Sequence, residues 1–296
     1  GEINRTSPEA TVPIVDIDKY ESRLGGAANC ALNIKELGAK PILCTVIGND
    51  INGNKFKKLI KESKLSSDGI MFSSDRKTTV KKRIICEGKH QLRIDEEDRH
   101  GINNEDDFLE KISSLIKNVS VVILQDYNKG VLTKYIITEV IKLAKQKMIP
   151  IIVDPKKDNF FSYIGCDIFK PNLKEIKDGM KIDFDQNSDF ELEKVTSQLK
   201  KKISAKGVLL TLSENGLCIN SNEGFIHTPS YLGKVVDVSG AGDTVISVAS
   251  LLISEDISFQ DISKISSLSG GIVCQKVGVV PIQKEELLSE SLKLFN

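Results

Sequence analysis

The residue pattern predicts an α/β protein: a mostly parallel central sheet covered by helices on both faces, with a small β flap. Three observations carry that prediction. Short apolar runs of strand length, at 121–124, 149–153 and 207–212, alternate with longer amphipathic stretches. Strands apolar on both sides belong to parallel sheets buried between helix layers. One region, 78–94, breaks the rhythm with polar alternation around Glu87-Gly88-Lys89, the pattern of a two-stranded hairpin.

In chain order, residues 11–20 have strand character and join the hairpin in the flap. Gly25-Gly26 precede a helix over 27–37, closed by Gly38. A buried strand follows at 41–47, then a helix over 53–63. Helices are expected at 105–117, 134–147, 191–202 and 241–253, and strands at 121–124, 149–153, 167–170 and 207–212. No repeat or low-complexity tract interrupts them. The chain opens at Gly1 without the strand-and-turn unit usual in α/β proteins, so a leading segment is expected ahead of it.

Composition narrows the function classes. The 296 residues are 40% hydrophobic and 28% charged, which supports a sizeable core and excludes a disordered chain. Forty-one Lys and Arg balance 41 Asp and Glu, so the basic excess of a nucleic-acid binder is lacking. No apolar run approaches the roughly 18 residues that span a bilayer. A soluble, cytoplasmic protein without nucleic-acid or membrane partners is expected. Cys30, Cys44, Cys86, Cys166, Cys218 and Cys274 are scattered without a Cys-x-x-Cys pair, as buried thiols in a reducing compartment would be. His90, His100 and His227 show no metal-ligand spacing.

The most specific local signal is Asp237-Val-Ser-Gly240-Ala241-Gly242-Asp243-Thr244, leading into the apolar helix. Glycines at a helix start let backbone N–H groups approach an anion, and the helix dipole favours negative charge there. A carboxylate beside such a site is a poor phosphate ligand but a suitable base for an attacking hydroxyl. The plainer alternative is an Asp helix cap. A dinucleotide fingerprint does not fit, because Val245 stands where glycine is needed. Nor does a P-loop: in Gly48-Asn-Asp-Ile-Asn-Gly53-Asn54-Lys55 the lysine falls one place late.

Asn172 and Glu175 lie at i, i+3 after Lys170-Pro171, on one face of a first helical turn. They suit a hydrated Mg²⁺ near phosphates, or a simple capping box. Gly25, Gly26 and Asn29 suit a polyol against backbone, or tight helix packing. Gln125 to Gly130 and Asp154-Pro-Lys156 end or follow strands, where open parallel sheets bind ligands, or are simply the solvated starts of loops. Lys81, Lys82, Arg83 and Arg93 on the flap read by default as a solvated edge.

Together Gly25-Gly26 with Asn29, Asn172-x-x-Glu175, and Asp237-x-x-Gly240-Ala-Gly242-Asp243 resemble the ribokinase-like (PfkB) carbohydrate kinases, in order and across essentially the whole chain. That resemblance implies a three-layer α/β sandwich with a β lid, and transfer of the γ-phosphate of ATP to a sugar hydroxyl. It makes 1–296 one kinase domain with a lid from about 5–20 and 76–96. Within the family, Arg5-Thr-Ser-Pro-Glu-Ala10, Arg23 to Asn29, Arg93-Ile-Asp95-Glu-Glu97, Asp126-Tyr-Asn-Lys-Gly-Val-Leu-Thr133 and Asp154-Pro-Lys156 are similar to the branch that phosphorylates C1 of D-glycero-β-D-manno-heptose 7-phosphate, a step toward ADP-heptose for lipopolysaccharide. Because the chain ends at Asn296, only the kinase step of that often bifunctional branch is expected.

By the same resemblance, Asp243 is the base and the amides of Gly240, Ala241 and Gly242 form the anion hole. Asn172 and Glu175 organise Mg²⁺ and phosphates, and Ser213, Glu214 and Gly216 lie on the nucleotide side. Gly25, Gly26, Asn29, Arg93, Asp126, Lys129 and Lys156 surround the sugar phosphate, while Asp237 binds a monovalent cation such as K⁺. A homodimer through the lid is implied. The alternatives are another PfkB sugar kinase, of fructose or ribose type, and a non-catalytic sugar or nucleotide sensor.

Overall fold

A computed structural model describes residues 1–231 and 235–295. The chain begins with strands β1 (Glu2–Thr6) and β2 (Pro13–Asp16), helix α1 (Ala27–Glu36), β3 (Thr45–Gly48), α2 (Ile51–Glu62), β4 (Ile70–Ser73), β5 (Val80–Cys86) and β6 (Lys89–Glu96). Then follow α3 (Glu105–Leu115), β7 (Val122–Gln125), α4 (Lys134–Gln146), β8 (Ile151–Asp154), β9 (Ile168–Phe169), α5 (Leu173–Met180), α6 (Asp189–Ile203) and β10 (Gly207–Thr211). The last elements are β11 (Leu217–Ser221), β12 (Gly224–Thr228), α7 (Ala241–Ile253), α8 (Phe259–Val273) and α9 (Lys284–Phe295).

The main sheet has the order β12-β11-β10-β9-β8-β7. Strands β7 to β10 are parallel, and β11 and β12 complete it as an antiparallel meander. Because side chains alternate along a strand, each parallel strand feeds two cores. Ile152, Ile168 and Leu209 point toward α7 and α8, and pack with Val245, Ile246, Ala249 and Ile262. Val153, Phe169, Val208 and Leu210 point the other way and pack with α3, α4 and α6 through Phe108, Ile137, Val140, Leu192 and Leu199. Both faces are therefore apolar, and the fold is the expected three-layer sandwich. Burying one such Ile or Leu contributes on the order of 1.5–3 kcal/mol.

The expected strand at 41–47 forms only as β3, from Thr45 to Gly48. Its parallel partner β4 is four residues long, and the ladder runs Thr45↔Ile70 to Gly48↔Ser73. Pro41, without an N–H, stays outside it. The flap is also organised differently from an extension of the main sheet. Strands β1–β2 and β5–β6 are antiparallel hairpins in sheets of their own, the second turning at Glu87-Gly88. Among the described residues, no helix is long and apolar enough to cross a membrane.

Candidate active site

The carboxyl ends of β7, β8, β9 and β10 deliver Gln125, Asp154, Lys170 and Thr211 to one edge of the sheet. Above that edge begins α7, whose first residue Ala241 follows Gly240, a left-handed cap with φ +85° and no side-chain cap bond. A methyl group on Gly240 would lie 3.1 Å from the Asn29 amide nitrogen and 3.3 Å from Val279, so strain and crowding both require glycine. The Ala241 amide donates to the Val238 carbonyl at 3.3 Å. The amides of Gly242 and Asp243 lie in the first turn, where no intrahelical acceptor exists.

Asp243 does not cap the helix. Its Oδ2 accepts from Asn29 Nδ2 at 2.9 Å, and its Oδ1 accepts from the Tyr127 hydroxyl at 2.6 Å and Gln125 Nε2 at 3.3 Å. Among the described residues its carboxylate makes no ion pair. Burial pushes its pKa above the usual carboxylate value, while the bonds from Asn29 and Tyr127 oppose that rise.

The neighbouring cation is Lys170, whose ammonium sits 3.0 Å from Asp154 Oδ2 and 3.6 Å from where a Gly242 Cβ would be. The Lys170 and Asp154 side chains are 4% and 6% exposed, so positive charge is held in low dielectric beside the α7 amides. Asp154 Oδ2 also accepts from Gln125 Nε2 at 3.0 Å. Among the described residues, Asn29 Oδ1 and Gln125 Oε1 are buried acceptors without a hydrogen-bond partner, and Asp154 Oδ1 has only the Lys156 ammonium at 3.5 Å. Hydroxyl donors of a polyol match such a set.

Helix α1 reaches this centre because small and polar side chains let it lie close to α7. Ser247 Oγ donates to the Cys30 carbonyl, and Thr244 Oγ1 to Asn33 Oδ1 at 3.2 Å. Asn33 is fully buried; its Nδ2 donates to the Asn29 carbonyl at 2.9 Å and its Oδ1 accepts from Ile282 N–H at 2.9 Å. Before α1, Gly26 has φ +59° and ψ −137°, and a Cβ there would meet the Tyr127 ring at 3.3 Å. Gly26, Asn29, Gln125, Tyr127 and Asp243 are thus one contiguous cluster.

At the start of α5, Asn172 and Glu175 adopt a capping box, the plainer of the two arrangements their spacing allows. Asn172 Oδ1 accepts from the Glu175 amide at 2.8 Å, and Glu175 Oε2 accepts from the Asn172 amide at 2.9 Å. Glu175 Oε1 pairs with Lys156, which also lies 3.5 Å from Asp154 Oδ1. A parallel bridge Asn172↔Thr211 sets this cap beside the turn after β10, which carries Ser213, Glu214 and Gly216.

Other sequence candidates lie apart from Asp243 or are committed elsewhere. Asp126, 3% exposed, faces inward: Oδ1 accepts from the Asn128 amide, and Oδ2 from Asn159 Nδ2 and the Tyr163 hydroxyl. Lys129 pairs with Glu97 at 2.7 Å. Arg93, 56% exposed, chelates Asp95 on its own strand of the hairpin, the solvated-edge arrangement. Asp237 clamps two loops, accepting from the Ser239 and Gly278 amides at 2.9 Å each. Gly25, Gly26, Arg93, Lys129 and Asp243 all line one cavity of about 2800 Å³. That cavity also runs between β7 and β3, so lining it does not by itself define the site.

Three members of the centre, Gln125, Tyr127 and Lys170, lie within strings the sequence marks but without a role expected for them. Tyr127 and Gln125 flank Asp126, and strand alternation could have indicated that neighbours of an inward residue face the other way. Lys170 carried only the signal of a lysine directly after a buried strand.

A family model described as pfkB family carbohydrate kinase matches residues 2–285. The chain is 38% identical over 291 residues to the bifunctional protein HldE of Sulfurimonas denitrificans, covering 97% of this chain and 60% of that protein. It is 33% identical over 289 residues to HldE of Helicobacter pylori, covering 97% and 62%. The chain thus spans about three fifths of the length of these curated relatives. Among solved structures, phosphofructokinase-2 from Escherichia coli in complex with potassium superposes with a TM-score of 0.77 at 18% identity, covering 99% of this chain and 94% of that one. Ribokinase from Arabidopsis thaliana complexed with ribose and ATP gives 0.73 at 18% identity, covering 97% and 92%. These likenesses establish the ribokinase-like fold.

Proposed function

The chain belongs to the pfkB family of carbohydrate kinases, and from that premise we propose that it transfers the γ-phosphate of ATP to C1 of D-glycero-β-D-manno-heptose 7-phosphate. The observation that carries the catalytic part is Asp243: a carboxylate held by neutral donors at the start of α7, over the carboxyl ends of the parallel strands. In this reading Asp243 accepts the proton of the anomeric hydroxyl as its oxygen bonds to the γ-phosphorus and ADP leaves. The amides opening α7, with Lys170 beside them, meet the charge on the transferring group, and such donors contribute on the order of 3–4 kcal/mol each to the barrier. The unpartnered acceptors of Asn29 and Gln125 receive sugar hydroxyls.

The choice of heptose 7-phosphate rests on the sequence strings described above and on the HldE relatives. Lys129, Lys156 and Arg93 are the proposed partners of the 7-phosphate once substrate draws them from Glu97, Glu175 and Asp95. Bound Mg²⁺ would supply charge neutralisation between the phosphates. Glu175 has both oxygens engaged, which fits water-mediated contact to an ion arriving with the nucleotide rather than direct ligation. Asp237 is the proposed neighbour of a monovalent cation, and a homodimer through the hairpins is proposed from their exposed Leu92, Ile94 and Val12.

A substrate panel read by ADP release tests the assignment: heptose 7-phosphate should exceed fructose, ribose and their phosphates in kcat/KM by orders of magnitude. Asp243→Asn should still bind ATP while turnover falls at least about a hundredfold. Unchanged turnover in the variant would defeat the role given to Asp243, whereas ATP binding without turnover on any sugar in the wild-type protein would favour a sugar or nucleotide sensor on the same fold.

A further inference from the structure

Tyr127 stands where the catalytic reading leaves a question. An aspartate carboxylate turns about two rotatable bonds and needs its orientation fixed before it can meet a hydroxyl productively. Three donors grip it: Asn29 Nδ2 on Oδ2 at 2.9 Å, and on Oδ1 the Tyr127 hydroxyl at 2.6 Å with Gln125 Nε2 longer at 3.3 Å. The tyrosine is itself held. Its ring lies against Gly26, and its hydroxyl oxygen accepts from Gln125 Nε2 at 3.3 Å. We propose that Tyr127 is a positioning residue of the kinase reaction, its hydroxyl fixing the Asp243 carboxylate in the orientation that receives the proton of the acceptor hydroxyl. The inference rests on the proposed role of Asp243.

The chemistry supports a role beyond packing. Burial raises the Asp243 pKa, and a short donated bond to the ionised form counteracts it. Burial likewise pushes the Tyr127 hydroxyl well above its ordinary value, so it remains a donor throughout the working range. The other titratable groups facing Asp243 are Cys30 from α1, Asp154 at the end of β8 and Lys170 after β9, with Lys156 behind Asp154. Replacing Tyr127 by Phe alters none of them and keeps the ring against Gly26.

The test is the pH profile of Tyr127→Phe beside the wild type. A base must be ionised to act, so losing a donor that favours ionisation moves the acid limb of kcat to higher pH. Turnover should fall about tenfold or more, the size expected for a hydrogen bond to a charged group, with sugar and ATP KM values within about threefold of wild type. Placing 3-fluorotyrosine at position 127 strengthens the donor and should move the same limb to lower pH, which keeps the test decisive if the Phe variant folds poorly. Superimposable profiles for wild type and both replacements would overturn the proposal, as would a change in KM with kcat unaltered. Failure of the underlying assignment looks different: Asp243→Asn would then retain turnover, whereas an inactive Asp243→Asn with an unmoved Tyr127→Phe profile sinks this inference alone.

Discussion

Replacing Lys170 by Met removes one half of a buried ion pair while roughly conserving volume. At 3.0 Å, the attraction between Lys170 and Asp154 is about 5 kcal/mol at an effective dielectric of about 20. Desolvation of both groups offsets much of it, so the net worth of the intact pair is small. The single variant is costly for another reason: it leaves the Asp154 carboxylate buried against one remaining cation, Lys156 at 3.5 Å. Breaking a buried pair from one side costs about 3–5 kcal/mol, and with Lys156 still present the lower end applies. For a chain of this size, that predicts a thermal midpoint about 6 °C lower. The double variant Asp154→Asn, Lys170→Met should regain at least half of the loss, because no unpaired charge then stays inside. Differential scanning calorimetry of the three proteins decides. A midpoint for Lys170→Met within about 2 °C of wild type, or a double variant less stable than the single one, would refute the reasoning.

Other outcomes follow from the same contacts. Asn33→Leu strands the Ile282 amide in the core, while the Asn29 carbonyl keeps its helical N–H; one unsatisfied group costs about 1–3 kcal/mol, and denaturant unfolding should show a lower midpoint with an unchanged slope. The Lys129 ammonium holds the Glu97 carboxyl down at about 2, against burial and with help from Arg99 and Lys81. Its folded value is depressed, so its stabilisation is complete above the ordinary carboxylate value near 4.5 and fades as pH falls toward 2. Glu97→Gln should flatten the stability profile in that window, and a slope equal to wild type would count against the Lys129 contact. Replacing Leu92 and Ile94 by Ser on the exposed hairpin should convert the proposed dimer to monomer in light scattering, with the main fold's circular dichroism unchanged.

Much of the fold was legible because its physics is local. The apolar runs at 149–153 and 207–212 could be satisfied only by burial on both faces, and β8 and β10 formed there, feeding opposite cores through alternate residues. Helix α7 kept its expected bounds because Gly240 starts it and a mostly apolar stretch from Val245, interrupted by Ser247 and Ser250, follows. The elements that escaped notice, β4, β11, β12, α8 and α9, have weaker patterns. The Ser-rich α8, for example, is helical because it packs along α7 and under β11 and β12, a tertiary reason.

The site divides in the same way. Sequence alone determined that Asp243 follows a glycine-rich helix start, that Asn172 and Glu175 share a helical turn, and that charged residues end the parallel strands, since each depends on spacing within a few residues. Only the tertiary structure decided which of those side chains meet. It turned Asp126 inward to Tyr163 and Asn159, and brought Tyr127 and Asn29 to Asp243 across 116 and 214 residues of chain. It also closed Glu175 onto Lys156. Local periodicity fixes which face a residue occupies, whereas the partner it finds there is set by how separate helices and strands pack, which no local window contains.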